Sequence, residues 1–293
     1  MSIHPHPGTS PEADRVLLAA LCAVVLTYLV QEVYSLDVWW HLAIGRDILA
    51  TRSVPRLDQY AAAALGRPYH DSHWLFQVLL ASAYRAASWV GVQILQASIW
   101  VGALVCTYRA ARLWGGVSLS AALTFLAAMA CVERFLPRPD SVTVLLVAAF
   151  YLLLSGTGMP HRRRAATLAI LQVAWVNSHG LFILGPMMAG AYLLEALWPG
   201  RKSVAESWKP ALTTFLVVLL ATLVTPYGVG AWRYAALLLT EVSAPGLVSG
   251  LGELSPTFGP AARSSPAFWF FLALLGVTGV GALTAAARRA PVS

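Results

Sequence analysis

Eight apolar runs, at positions 16–34, 91–108, 117–132, 141–155, 165–178, 181–198, 211–225 and 267–286, divide this chain of 293 residues and decide its fold class. Such runs read as helices that cross a bilayer, because about 20 residues at 1.5 Å rise span a hydrocarbon core of roughly 30 Å. Composition agrees. Mean hydropathy is +0.67, and 58% of residues are hydrophobic against 11% charged, where soluble domains carry about 25% charged residues. The expected fold is all-α: one polytopic transmembrane helix bundle of about eight spans over residues 1–293. The stretch 1–15 lacks the basic start and small-residue cleavage site of a secretory signal, so the first span is read as an uncleaved anchor. Cys22, Cys106 and Cys131 fall in apolar runs, where a thiol acts as a small hydrophobe, and they form neither a disulfide framework nor a zinc spacing.

The formal net charge of +7 is explained by topology and needs no nucleic acid. Arg109 with Arg112, Arg162 to Arg164, Arg201 with Lys202 and Lys209, and Arg288 with Arg289 all fall on the side of the N-terminus. The positive-inside rule makes that side cytoplasmic, with both termini. Residues 35–90 then form a large first outer loop, 91–286 hold the remaining spans, and 287–293 are a cytoplasmic tail. Residues 74–89 are apolar enough to count as a span, but a crossing there would put Arg162 to Arg164 outside. They are therefore expected as a helix lying on the outer surface or partly inserted, with His73, Gln77, Tyr84 and Arg85 as its polar stripe. The alternative is a true span with inverted topology.

The outer loop carries the densest chemistry. Asp37-Val38-Trp39-Trp40-His41 follows the first span, and Tyr69-His70-Asp71-Ser72-His73-Trp74 precedes the next strongly apolar stretch. Asp37 and His41 share a face on a helix, with Trp40 beside them. A carboxylate at a membrane exit could act as a general base or hold magnesium or another divalent cation, since hard cations choose carboxylate oxygens. The plainer reading is an interfacial helix with indole anchors and an acidic first turn. His70, Asp71 and His73 could position a polar substrate. Zinc is disfavoured, because paired histidines with an intervening Glu on one helix are absent.

Three further segments are candidates for substrate binding. Arg134 and Arg138, in Glu133-Arg134-Phe135-Leu136-Pro137-Arg138-Pro139-Asp140, can present forked donors to a phosphate, or simply pair with Glu133 and Asp140. The short run 165–178 ends in Asn177-Ser178-His179-Gly180, a polar knot expected below the outer surface; such groups are tolerated where they line a cavity or are buried in protein. Thr225-Pro226-Tyr227-Gly228 ends another span, and Glu253 closes a Gly-rich loop with no nucleotide-binding strand before it. No nucleophile elbow, Walker loop or dinucleotide fingerprint occurs.

Taken in order, Asp37-x-Trp-Trp-His41-Leu42-Ala43-x-Gly45-Arg46, Pro55-Arg56-x-Asp58, Gly66-Arg67-Pro68-Tyr69, His73-Trp74-Leu75, Arg138-Pro139, Trp175-x-Asn177-x-His179-Gly180 and Thr225-Pro226-Tyr227-Gly228 resemble bacterial polytopic glycosyltransferases of the GT-C superfamily. The resemblance runs from Asp37 to about Phe258. It implies transfer of a sugar from a polyprenyl-phosphate carrier to an acceptor glycan, lipid or protein on the outer face, with Asp37 as the catalytic or metal-contacting acid. The chain departs from the pattern in three ways: Val38 stands where many relatives have a second acid, His70-Asp71-Ser72-His73 replaces a Lys-Pro-Pro segment, and the C-terminal extension is missing. A different class of function stays open, a non-catalytic transporter, flippase or lipid-linked-sugar binding subunit. A transporter would be expected to show midplane ionisable groups or matched broken helices.

Overall fold

The computed structural model describes residues 11–30, 35–156, 158–198, 207–241 and 258–287. Tyr34 at the end of the first run, Arg201 and Lys202, Glu253 with its glycines, and Arg288 and Arg289 lie outside the described residues.

The described residues are all-helical. The helices are α1 (Pro11–Leu29), α2 (Asp37–Thr51), α3 (Trp74–Ala111), α4 (Val117–Ala130), α5 (Asp140–Ser155), α6 (His161–Val176), α7 (Leu184–Leu197), α8 (Trp208–Ala221), α9 (Gly230–Glu241), α10 (Pro260–Arg263) and α11 (Pro266–Ala287), with 3₁₀ turns at Val132–Arg134 and Gly180–Ile183. By length and composition, two stretches among them could cross a membrane: Trp74–Ala111 and Gly180–Leu197. The other apolar helices are shorter. Helix boundaries follow local chemistry. Asp37 and Asp140 stand in the first turns of α2 and α5, where a negative charge meets the positive end of the helix dipole. Arg52 ends α2 in the left-handed conformation, its N–H donating to the Ile48 carbonyl at 2.8 Å.

α3 is two helices joined at a sharp break. Ala87 and Ser88 leave helical geometry, and Ser88 sits at φ 52°, ψ −139°, a region that L-residues occupy at a cost of order 1–3 kcal/mol. The expected boundary between a surface helix and a following span, at Trp89 to Gly91, falls within four residues of this break. The fold-back presses Gly91 against the backbone of Ala83, so that a Cβ at position 91 would overlap the Ala83 carbonyl oxygen. Gly45 of α2 lies equally close to the carbonyl of Gln77. Small residues of this kind let helix backbones approach closely where there is no water to drive them together.

Three apolar clusters hold the helices. Val38, Leu42, Phe76, Leu80, Val92 and Ile99 join α2 to both halves of α3. Val25, Leu29, Trp100, Ala128, Met129 and Phe135 join α1, α3, α4 and the turn after α4. A larger cluster around Phe150, Leu168, Trp175, Phe182 and Val218 joins α5 to α9. At the opposite end of α6 from the outer-loop residues, Arg164 is buried and donates to the Tyr192 hydroxyl at 2.9 Å and the Gly156 carbonyl at 2.9 Å. This member of the basic cluster therefore caps a helix end as well as carrying charge.

We expect Gly91→Ala to destabilise the purified protein by about 1–3 kcal/mol through overpacking. Gly276→Ala, where nothing lies within 4 Å of the added carbon, should leave stability unchanged. Thermal unfolding in detergent measures both, and equal midpoints for the two variants would contradict the close contact at the α3 break.

Candidate functional site

The segment between α2 and α3 is built to hold its polar residues in place. Residues 56–69 fold as a small hairpin: the Asp58 N–H donates to the Arg67 carbonyl, the Gly66 N–H to the Asp58 carbonyl, and the Tyr69 N–H to the Arg56 carbonyl, all at 2.8–2.9 Å. Gly66 takes φ +75°, which only glycine adopts freely. Asp58 Oδ1 accepts the N–H groups of Tyr60 and Ala61. Trp40 packs on Tyr60, whose hydroxyl donates to Asp47 in a short hydrogen bond. Trp39 is exposed and meets Trp89 edge to face at 5.0 Å.

At the centre, three histidines from three distant segments come together. His41 of α2 lies 5.8 Å from His73, and His73 lies 5.5 Å from His179, measured between ring centroids. Asn177 fixes the geometry: its Oδ1 accepts the Trp74 indole N–H at 2.8 Å, its Nδ2 donates to the carbonyls of Val173 (2.7 Å) and Val224 (2.8 Å), and its own carbonyl accepts the Leu75 N–H at 2.9 Å. The Asn177 side chain is thereby fully engaged within the protein. His41 Nδ1 lies 3.4 Å from the Gln77 amide nitrogen, and His179 Nδ1 lies 2.8 Å from the Thr143 hydroxyl, which also accepts the Trp175 indole N–H at 2.9 Å. Burial pushes His41 and His179 down to about 4 and His73 well below the ordinary imidazole value, so all three are uncharged near neutral pH. For His41, Asp37 opposes the shift, while Arg138 and His179 add to it.

Asp71 and His70 lie beside this cluster and point in different directions. Asp71 is fully buried; its Oδ1 accepts the His73 N–H at 3.0 Å, and its own N–H donates to the Tyr227 hydroxyl at 2.9 Å. Oδ2 makes no hydrogen bond. Burial raises Asp71 to about 6, against the lowering effect of the His73 N–H and the nearby Gln77 amide. His70 is sandwiched between the rings of Tyr227 (3.8 Å) and Tyr234 (4.3 Å), and the Arg56 guanidinium covers the Tyr227 ring at 4.7 Å. Arg56 also donates to the Pro226 carbonyl at 2.8 Å. This stack locks the segment between α2 and α3 to the segment after α8, so His70 and Tyr227 are engaged with each other.

A charged rim adjoins the histidines. Arg138 pairs with Asp37 at 2.8 Å and reaches Ser35 at 3.5 Å, while Arg134 pairs with Asp140 at 3.2 Å. Local pairing accounts for Arg134 alone; Arg138 crosses to the loop after α1. Glu133 accepts a short hydrogen bond from Ser265 instead. Behind the rim, α1, α3 and α4 enclose an apolar cleft of about 310 Å³, lined by Leu21, Leu29, Leu104, Tyr108 and Phe125 among others. Leu29, at its outer end, belongs to the same packed cluster as Phe135, three residues before Arg138.

Of the residues singled out in the sequence, the structure gathers Asp37 with Arg138, and His41 with His73 and His179. Asp71 abuts them through the His73 N–H. Arg134, His70, Trp40, Asn177 and Tyr227 surround this centre in separate contacts. The functional reading of the sequence did not include Thr143 and Ser35. A hydroxyl three residues past Asp140 in an otherwise apolar run is the one signal that pointed to Thr143. Among the described residues no group of three or more His, Cys, Asp or Glu side chains is arranged to hold a metal ion.

The buried imidazoles make stability depend on acidity. A histidine at about 4 in the fold and about 6.5 unfolded binds its proton only on unfolding between those values, so stability falls as pH drops from about 6.5 to about 4. Asp71, raised to about 6, acts the other way between about 4 and 6, and several histidines outweigh it. We expect unfolding midpoints to fall between pH 7 and 5, and the fall to be smaller in His179→Gln; an unchanged slope in that variant would contradict the burial of a neutral His179. Comparison of the chain with protein-family models, curated proteins and solved structures finds no match.

Proposed function

We propose that this chain is a membrane glycosyltransferase that moves a sugar from a polyprenyl-phosphate carrier to an acceptor on the outer face of a bacterial inner membrane. The observation that carries the reading is the Asp37–Arg138 pair at 2.8 Å. It puts a carboxylate able to accept a proton beside a guanidinium able to hold phosphate oxygens, and Phe135, three residues before Arg138, packs in one cluster with Leu29 of the apolar cleft. Attack of an acceptor hydroxyl on an anomeric carbon needs both functions: a base at the nucleophile and stabilisation of charge on the departing phosphate. Asp37 supplies the first, directly or through a divalent cation, and Arg138 with Arg134 supplies the second. The isoprenoid tail lies in the cleft between α1, α3 and α4, and His41, Asp71 and His73 orient the acceptor. The eight-span topology with both termini cytoplasmic belongs to the same proposal. The break in α3 supports it, because the helix then changes direction before Gly91.

The same ion pair favours a second reading. A carboxylate already neutralised by Arg138 is a poor base until a ligand separates the two, which suits a subunit that binds lipid-linked sugar without turning it over.

The test reconstitutes the chain with a panel of polyprenyl-phosphate sugars and acceptor lipids and follows release of polyprenyl phosphate by mass spectrometry. We expect release by the parent, a loss of at least about 100-fold in Asp37→Asn, and a raised KM in Arg138→Ala. The Asp37 side chain is 54% exposed, so breaking the pair should cost about 1 kcal/mol or less and leave both variants folded. Carrier binding without turnover in any combination would select the second reading. Topology is checked separately by cysteine labelling in intact cells: Ala62→Cys should react with an impermeant reagent and Gly158→Cys should not.

A further inference from the structure

The hydrogen bonds around the histidine cluster determine where its protons lie. The Thr143 hydroxyl oxygen accepts the Trp175 indole N–H, and among the described residues no backbone carbonyl takes the hydroxyl's own hydrogen. Its remaining partner is His179 Nδ1 at 2.8 Å. A buried hydroxyl without an acceptor would cost about 1–3 kcal/mol, so Thr143 donates to Nδ1 and the ring proton is placed on Nε2. At His41 the orientation of Gln77 decides. Its amide nitrogen faces His41 Nδ1 at 3.4 Å and lies close enough to Asp71 to stabilise the carboxylate. The opposite orientation would set the amide oxygen against the buried carboxylate. His41 Nδ1 therefore accepts, and its proton also lies on Nε2.

We infer that His41 and His179 are held as Nε2-protonated tautomers and, with His73 between them, form an uncharged donor site for the oxygen atoms of a phosphate group. Neither Nε2 makes a hydrogen bond within the described residues, so each N–H is left for a ligand. An anion here would be held by hydrogen bonds, against the charge of the buried Asp71 carboxylate, which accepts the His73 N–H beside the cluster. Arg138 acts on His41 from the rim, Asp37 is occupied by that same arginine, and Asp140 near His179 is paired with Arg134. Neutral donors aimed at an oxyanion in a water-poor site stabilise charge with no proton to remove first. The same tautomers withhold the Nε2 lone pairs that a metal would need, in keeping with the absence of a metal-holding group among the described residues. Phosphate, out of the oxyanions such donors would accept, is chosen because the site is read as meeting a phosphate-linked carrier. The inference rests on the proposed function to that extent.

The test is nitrogen NMR of the full chain in detergent, labelled with ¹⁵N-histidine, with signals assigned by His41→Gln and His179→Gln. At pH 7.5 both residues should show neutral rings protonated on Nε2. Inorganic phosphate, and in a second arm micelles containing polyprenyl phosphate, should move both signals. A response to the first probe identifies free phosphate as a sufficient ligand, and a response to the second alone identifies the lipid headgroup. Thr143→Val should change the His179 tautomer and weaken phosphate binding at least fivefold, while Thr143→Ser should restore both, which separates the hydroxyl's role from a folding defect. Protonation on Nδ1 in either histidine, stoichiometric bound zinc, or silence toward both phosphate sources would overturn the inference. A phosphate response without sugar transfer would leave this site standing and remove the transferase reading. Turnover without a histidine response would do the reverse.

Discussion

Asn177 ties three helix ends together. Its side chain and its carbonyl bind the start of α3, the last turn of α6 and the end of α8 through four hydrogen bonds. Each partner is a residue whose neighbour carries chemistry: His73 precedes Trp74, His179 follows two residues after Asn177, and Tyr227 follows three after Val224. Where burial removes water, the carbonyls exposed where a helix ends must find donors inside the protein. One amide provides them for two helices while receiving the indole of a third. Removing it would leave several buried groups unpaired together, each at a cost of about 1–3 kcal/mol. The approach of His73 to His179 follows from this arrangement of helix ends, while His41 is brought in by the packing of α2 on α3.

The helical class of the fold was legible in the sequence because a chain with so few charges has little else it can form when its apolar runs are this long. That the apolar stretch from Trp74 is divided near Trp89 was suggested by charge placement, because the basic residues after α5 limit how many crossings could precede them. Its position at Ala87 and Ser88 was not, since neither residue is a helix breaker. The break exists because Gly91 and Gly45 allow tertiary contacts closer than any side chain would, and these contacts outweigh local helical preference. Candidate residues could be found as polar groups in apolar surroundings, which is why Asp37, His41, His73, Arg138 and His179 stood out. Their pairing could not. Arg138 has acidic residues near it in sequence and yet joins Asp37, about a hundred residues away, because Asp140 is taken by Arg134.

The roles within the set also depend on contacts invisible in sequence. His70 and His73 stand three apart in one short segment, but His70 enters a stack with two tyrosines from the far side of the chain, and His73 turns toward His41 and His179. Asp71 between them binds the His73 backbone and the Tyr227 hydroxyl, so it divides the two histidines by anchoring the loop on both sides. A cluster that resembles a metal motif in one dimension is thus separated in three into a stack with Tyr227 and Tyr234 and a contact with two other histidines.

Electrostatics orders the site by depth. Full charges stand at the rim, where Asp37 and Arg138 retain side-chain exposures of 54% and 23%; behind them burial keeps the imidazoles neutral and raises Asp71 to about 6. The order follows from desolvation, which penalises an ion more steeply than a hydrogen-bonding dipole as water is withdrawn. Under the proposed reading this division serves an amphiphilic donor. Its tail would occupy the apolar cleft, its phosphate would meet Arg138 at the rim, and the imidazole N–H groups would hold the phosphate oxygens that reach past the arginine. Charge would then supply attraction at the surface, and fixed dipoles would supply orientation inside. That sequence of contacts requires Arg138 to exchange Asp37 for phosphate, which frees the carboxylate at the moment when a base is needed beside the anomeric carbon.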